Sequence, residues 1–223
     1  MSLFDSYNNV KQRICDVSNS RPITLIAVSK TKPMELISEL HQYGHRDFGE
    51  NYAQECVSKA SSLPTDITWH FIGPVQSNKV KSLAQINIVV HTIDRIKIAD
   101  LFNKEAQKLS KVIPVFVQVN VSEDDAKSGT SSDSTLAICS HIVSNCMNLQ
   151  LLGLMTIGRI GDVSAFTSLK SLADEISESV GVPLKCSMGM SGDFEEAIRR
   201  GSDYVRVGSS IFGERNYSSI QKE

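Results

Sequence analysis

Lys30 directly follows Ile23 to Ser29 (ITLIAVS), an apolar run that reads as a buried strand. An ammonium at such a strand end is partly desolvated, which lowers its pKa and lets the amine attack a carbonyl, the opening step of Schiff-base chemistry. Lys32 stands two residues further on, and spacing alone does not choose between the two. A strand-end lysine also snorkels to solvent, so the chemical reading needs a counterpart elsewhere in the chain. Ser191-Gly192-Asp193 and Gly208-Ser209-Ser210 supply one, because each opens a helical stretch near the far end of the sequence. Backbone amides at a helix start attract an anion, glycine permits close approach and serine hydroxyls add donors, although ordinary N-caps use the same letters.

The elements that must position these residues alternate along the chain. Strand-like runs are Ile23 to Ser29, Asp47 to Glu50, Thr68 to Gly73, Asn87 to Thr92, Pro114 to Asn120, Leu149 to Thr156, Pro183 to Ser187 and Tyr204 to Val207. Stretches of helical period lie between them, among them Met34 to Tyr43, Ile96 to Leu109, Leu136 to Cys146, Val163 to Ser179 and Phe194 to Arg200. Eight such units predict an α/β fold, a single-domain (β/α)8 TIM barrel over residues 1–223, with an extra N-terminal helix in residues 1–20 spanning Leu3 to Ser18. A doubly wound open sheet uses the same repeat, but it has fewer strands and a Gly-rich phosphate turn after the first, which is absent here. The polar run Ser128 to Ser134 is expected to be a mobile loop. Barrel sites form where strands end, and phosphate is held after the seventh and eighth strands. A lysine after the first strand, facing such a cradle, suggests pyridoxal 5'-phosphate (PLP).

Composition narrows the classes. The 223 residues carry 23 Lys plus Arg against 25 Asp plus Glu, a net charge of −2 that excludes a strongly basic nucleic-acid binder. Five scattered cysteines without a C-x-x-C pair fit a reducing compartment better than a disulfide framework or a zinc site. No apolar run is long enough for a membrane span, and Asp5, Lys11, Arg13 and Asp16 argue against a leader, so a cytoplasmic protein is expected. His70 and His91 close the third and fourth strands and read as structural; Lys79, Lys81 and Lys127 read as solvated charges. The run Glu123, Asp124, Asp125 has no second ligand cluster, so no metal is expected.

Eight ordered blocks carry a resemblance: AVSKTKP from Ala27, FGENYAQE from Phe48, WHFIGPVQSNK from Trp69, HTID from His91, QVNVSEDDAKSG from Gln118, GLMTIG from Gly153, SMGMSGDFEEAI from Ser187 and VRVGSSIFGER from Val205. On these the sequence resembles the pyridoxal phosphate homeostasis proteins, PLP-binding barrels related to the alanine racemase N-terminal domain (PLP fold type III). The resemblance selects Lys30 over Lys32 as the lysine that holds PLP as a Schiff base. It matches Ser191, Gly208 and Ser209 to phosphate-binding positions, Asn51 to a residue lining the cofactor, Met188 to a position beside the ring, and Arg206 to the arginine against the pyridine nitrogen. A guanidinium only donates and its charge opposes protonation of that nitrogen, so the electron sink is weak. With the chain ending at Glu223, no second domain is expected to bring a catalytic tyrosine. The resemblance therefore implies a monomeric carrier that buffers PLP or delivers it to apo PLP-dependent enzymes, without robust turnover and with no catalytic residue. The rival readings are a one-domain amino-acid racemase and a cofactor-independent Schiff-base aldolase whose cradle holds a substrate phosphate.

Overall fold

A computed structural model describes residues 2–121, 128–158 and 162–214. Eight strands, β1 (Thr24–Val28), β2 (Asp47–Glu50), β3 (Thr68–Phe71), β4 (Ile88–Ile93), β5 (Ile113–Gln118), β6 (Leu149–Met155), β7 (Lys185–Met190) and β8 (Tyr204–Val207), form a closed barrel in sequence order. Every neighbouring pair is parallel, and β1 closes on β8 with Leu25 opposite Val205 and Ile26 opposite Arg206. The helices are α1 (Leu3–Ser18), α2 (Met34–Gln42), α3 (Ala53–Ser62), α4 (Val80–Ala84), α5 (Ile96–Lys108), α6 (Ser132–Asn145), α7 (Ser164–Val180), α8 (Phe194–Arg199) and α9 (Ser209–Phe212). This is the fold expected from the strand and helix alternation, and α1 is the expected extra helix.

Side chains on a strand alternate between faces, and here the alternation separates two interiors. Leu25, Phe48, Trp69, Val90, Val115, Leu154, Cys186 and Val205 face the helices and belong to the main apolar core. The inner face of the barrel carries Val89, Phe116 and Met155 as a small apolar cluster, with His70, His91, Ser187 and Arg206 buried beside it. His91 stacks on Phe116 with ring centroids 4.4 Å apart, and Tyr204 meets Phe116 edge-on at 5.1 Å.

Local sequence explains the boundaries. Ser2 and Asp5 form a capping box at the start of α1. That helix is tied to α8 by Arg13, whose guanidinium donates twice to Glu195 at 3.0 and 2.8 Å and lies over the Phe194 ring. Gly181, at φ 68°, ends α7 in the left-handed conformation that glycine tolerates. The Ser128 to Ser134 run is not a loop throughout: Ser131 caps α6 through the Ser134 amide, so its last three residues are the first helical turn. The seventh strand runs two residues later at its start and three at its end than the Pro183 to Ser187 reading, because Gly189 and the methionines around it extend the ladder. The helices α3 and α4, not among the stretches named from sequence, complete the ring: α3 packs on β2 and β3, and α4 lies between α3 and α5.

Candidate functional site at the barrel mouth

A cavity of 570 Å3 opens at the C-terminal ends of the strands, within the size range of small-molecule sites. Val28, Lys30 and Lys32 reach it from β1 and the turn beyond, Asn51 from the end of β2, and Ile72 and Ile157 from the ends of β3 and β6. The β7–α8 turn contributes Met190, Ser191 and Gly192; β8 and α9 contribute Arg206, Gly208 and Ser209. Six of the seven residues singled out from sequence therefore meet around one cavity.

Met188 is the exception. It is fully buried within the helix-facing core and does not line the cavity, because Cys186 and Met188 share the outer face of β7 while Ser187 points inward. Met190 takes the wall position instead, after a register irregularity between Ser187 and Met190 that carries Gly189 at φ 93°. The neighbouring lysines also separate. Lys32 Nζ donates to the carbonyls of Phe212, Gly213 and Glu214 at 3.0, 3.2 and 2.8 Å, so its charge is spent on the backbone after α9.

Asn51 is held against the wall by backbone packing: a Cβ on Gly73 would fall 2.0 Å from the Asn51 carbonyl oxygen, so only glycine fits there. Asn51 Oδ1 is buried and has no hydrogen-bond partner among the described residues, an acceptor that a ligand donor would satisfy. Opposite, the Ser191 hydroxyl accepts from the Gly208 amide at 3.0 Å and joins the two turns of the cradle. The helices behind them are short, six residues for α8 and four for α9; the first amides of α9 have no acceptor within the helix.

Arg206 is 4% exposed, and burial lowers its pKa to about 10, which leaves it charged at neutral pH. Its guanidinium donates to the Ser187 carbonyl and hydroxyl, both at 2.9 Å, and to the Thr156 carbonyl at 2.8 Å. From Ser187 a line of contacts crosses the barrel core: Ser187 Oγ to His91 Nδ1 at 3.0 Å, His91 Nε2 to His70 Nδ1 at 2.9 Å, and His70 Nε2 to Asp47 Oδ1 at 2.9 Å. A guanidinium only donates and a carboxylate only accepts. One donor order satisfies both ends, Ser187 donating to His91, His91 to His70, and His70 to Asp47, and it keeps the His91 ring neutral. Burial, with the Arg206 charge acting in the same direction, holds the His91 pKa well below its usual value, in keeping with a neutral His91 ring. Neither histidine lines the cavity, and their separations of 21 and 96 residues from their partners leave no mark in local sequence.

Away from the mouth, Asp100, His141 and Cys146 bring ligand atoms within 4.8 Å of one another on α5 and α6 and just beyond. Hydrogen bonds within the group account for them: His141 Nε2 meets Asp100 at 2.7 Å, and the Cys146 thiol, raised to about 11 by burial, points at the same carboxylate. Lys127 and the Glu123, Asp124, Asp125 run lie outside the described residues. No helix among those residues is long and apolar enough to cross a membrane.

Comparison with known proteins agrees with this geometry. Residues 6–216 match the family described as alanine racemase, N-terminal domain. The pyridoxal phosphate homeostasis protein of Mus musculus is 42% identical, covering 94% of this chain and 83% of that one; its Schizosaccharomyces pombe counterpart is 41% identical, covering 92% and 90%. Among solved structures, PipY of Synechococcus elongatus PCC7942 with PLP bound superposes with a TM-score of 0.80 at 29% identity, over 91% of this chain and 99% of that one. An alanine racemase of Clostridium difficile, 15% identical with a TM-score of 0.78, covers 99% of this chain but 61% of its own, and shares the fold. With identities above 40% over nearly the whole barrel, the chain belongs to the family of pyridoxal phosphate homeostasis proteins.

Proposed function

We propose that this protein binds PLP at the barrel mouth through Lys30 and serves PLP homeostasis by holding the cofactor and passing it on, rather than by turning over a substrate. The observation that carries the reading is the convergence of Lys30, Arg206, the Ser191 and Gly208–Ser209 turns and the orphaned Asn51 oxygen around one cavity. Lys30 would hold PLP through its amine, the group that reacts with the aldehyde the cofactor would supply, with water as the leaving group. The Ser191 and Ser209 hydroxyls and the first amides of α9 offer donors to the phosphate, and Gly208, its amide bonded to Ser191 Oγ, leaves room for close approach. Arg206 would donate to an unprotonated ring nitrogen and oppose its protonation, which would weaken the electron sink that carbanion chemistry needs. His70 and His91, the groups a one-domain racemase would recruit as a second acid or base, are committed on both ring nitrogens and stand outside the cavity. The names of the relatives and the PLP in PipY support the same reading. The proposal includes apo PLP-dependent enzymes as recipients, a monomeric state and a cytoplasmic setting.

The test is incubation with PLP, borohydride reduction and peptide mapping. A pyridoxyl group on Lys30, absent in Lys30→Ala, is the expected result; no uptake, or modification elsewhere in place of Lys30, overturns it. Steady exchange of the alpha hydrogen of alanine in deuterated water, lost in Lys30→Ala, would replace the carrier with a racemase.

A further inference from the structure

The residues on either side of Lys30 are gripped from behind the barrel wall. Side chains alternate along β1, so Lys30 points into the mouth while Ser29 faces α3. There the Ser29 hydroxyl donates to Glu50 Oε1 at 2.6 Å, and its carbonyl accepts from Lys59 Nζ at 2.8 Å. Lys59 donates further to Glu50 Oε1 at 2.8 Å and to Glu55 Oε1 at 2.7 Å. Glu55 Oε1 also takes the Thr31 amide at 2.7 Å. The Lys59 side chain is 4% exposed and that of Glu50 fully buried. Thr31 sits at φ 62°, a left-handed conformation that a β-branched residue adopts only when its surroundings impose it.

A buried ion cluster adds little stability over apolar packing of equal volume. Here it is spent on the carbonyl before Lys30 and the amide after it. We infer that Glu55 and Lys59 of α3, together with Glu50 of β2, are positioning residues for Lys30, fixing Ser29 and Thr31 so that the amine enters the cavity in one orientation. The inference rests on Lys30 as the PLP attachment point. The cluster acts through the backbone: it touches neither ring nor phosphate.

Two ligands separate positioning from general support. PLP reports the amine, whereas 4'-deoxypyridoxine 5'-phosphate has the same ring and phosphate but no aldehyde to condense. Glu55→Ala is expected to slow fixation of PLP on Lys30 by about tenfold, the scale of one lost charge-assisted hydrogen bond, and to leave the affinity for the deoxy analogue within about twofold. Glu55→Gln keeps the acceptor oxygen and is expected to retain wild-type fixation; Lys59→Met is expected to follow Glu55→Ala. Equal loss for both ligands, or no loss for either, overturns the positioning role. If the wild-type protein fixes no PLP on Lys30, the attachment reading falls by itself, and the grip is then decided by hydrogen exchange at the Thr31 amide. Faster exchange there in Glu55→Ala than in the wild type upholds the grip, and unchanged exchange overturns it.

Discussion

The two sides of the mouth are held by opposite means. Behind β1 and β2, charged groups of α3 grip the backbone around Lys30 from outside the barrel wall. Beneath β8, imidazoles inside the wall hand a serine hydroxyl to the Arg206 guanidinium. The difference follows from what each side must fix. A strained backbone needs both a donor and an acceptor, which an ammonium between carboxylates provides. A buried guanidinium already carries the charge intended for the cavity, and a carboxylate at the same place would neutralise it, whereas a serine hydroxyl backed by a neutral ring accepts without cancelling it.

Breaking each side in turn separates them. Lys59→Met leaves two carboxylates facing one another under α3, and we expect a loss of about 3 kcal/mol, the lower end for a broken buried pair because Glu50 takes up a proton. Chemical denaturation measures it, and an unchanged midpoint would show that the cluster is better hydrated than its burial indicates. His91→Leu orphans His70 and Ser187 and should cost about 2 kcal/mol. On ligands it should do the reverse of Glu55→Ala, weakening PLP and its deoxy analogue alike, because in the proposed binding mode both would present the ring nitrogen to Arg206. Selective loss of PLP in His91→Leu would erase the distinction between the sides. Ser209→Ala removes one donor to the phosphate and should raise the dissociation constant of the deoxy analogue about tenfold, near 1.5 kcal/mol; no change would place the phosphate elsewhere.

The smallest effect is one of sign. Burial raises Glu50 from 4.5 to about 7, so the folded state favours its protonated form, and that contribution is lost as pH rises through about 7. His91 is held well below 6.5, so the folded state favours its neutral form, and that contribution is lost as pH falls below 6.5. Wild-type stability minus that of Glu50→Gln should therefore decline between pH 4.5 and about 7. The same difference against His91→Gln should rise with pH until about 6.5. Urea midpoints across this range decide it, and slopes of equal sign would contradict the opposed electrostatics of the two sides.

Much of this architecture was legible because barrel strands buried on both faces read as apolar runs, and because Lys30, Asn51, Ser191, Arg206, Gly208 and Ser209 stand at or just beyond strand ends. The helix α3 was not, since its buried face is Cys56 and Lys59, and a buried lysine breaks the apolar period that marks a helix. Met188 and Met190 exchanged places because parity along β7 fails at Gly189, a backbone irregularity that spacing does not announce. The grip on Lys30 and the histidine line join residues brought together by barrel closure, and no local pattern encodes either.

The histidine line has one more consequence, for proton traffic. A hop from the mouth toward Asp47 would start with Arg206 giving up a proton it holds to about pH 10. With the donor order running from Ser187 to Asp47, a hop the other way would meet nitrogens whose hydrogens point toward Asp47, and both rings and the serine would have to turn over. A polar line thus runs through a partly apolar barrel core, and in that donor order it would resist proton transfer between the solvent at Asp47 and the cavity at Arg206.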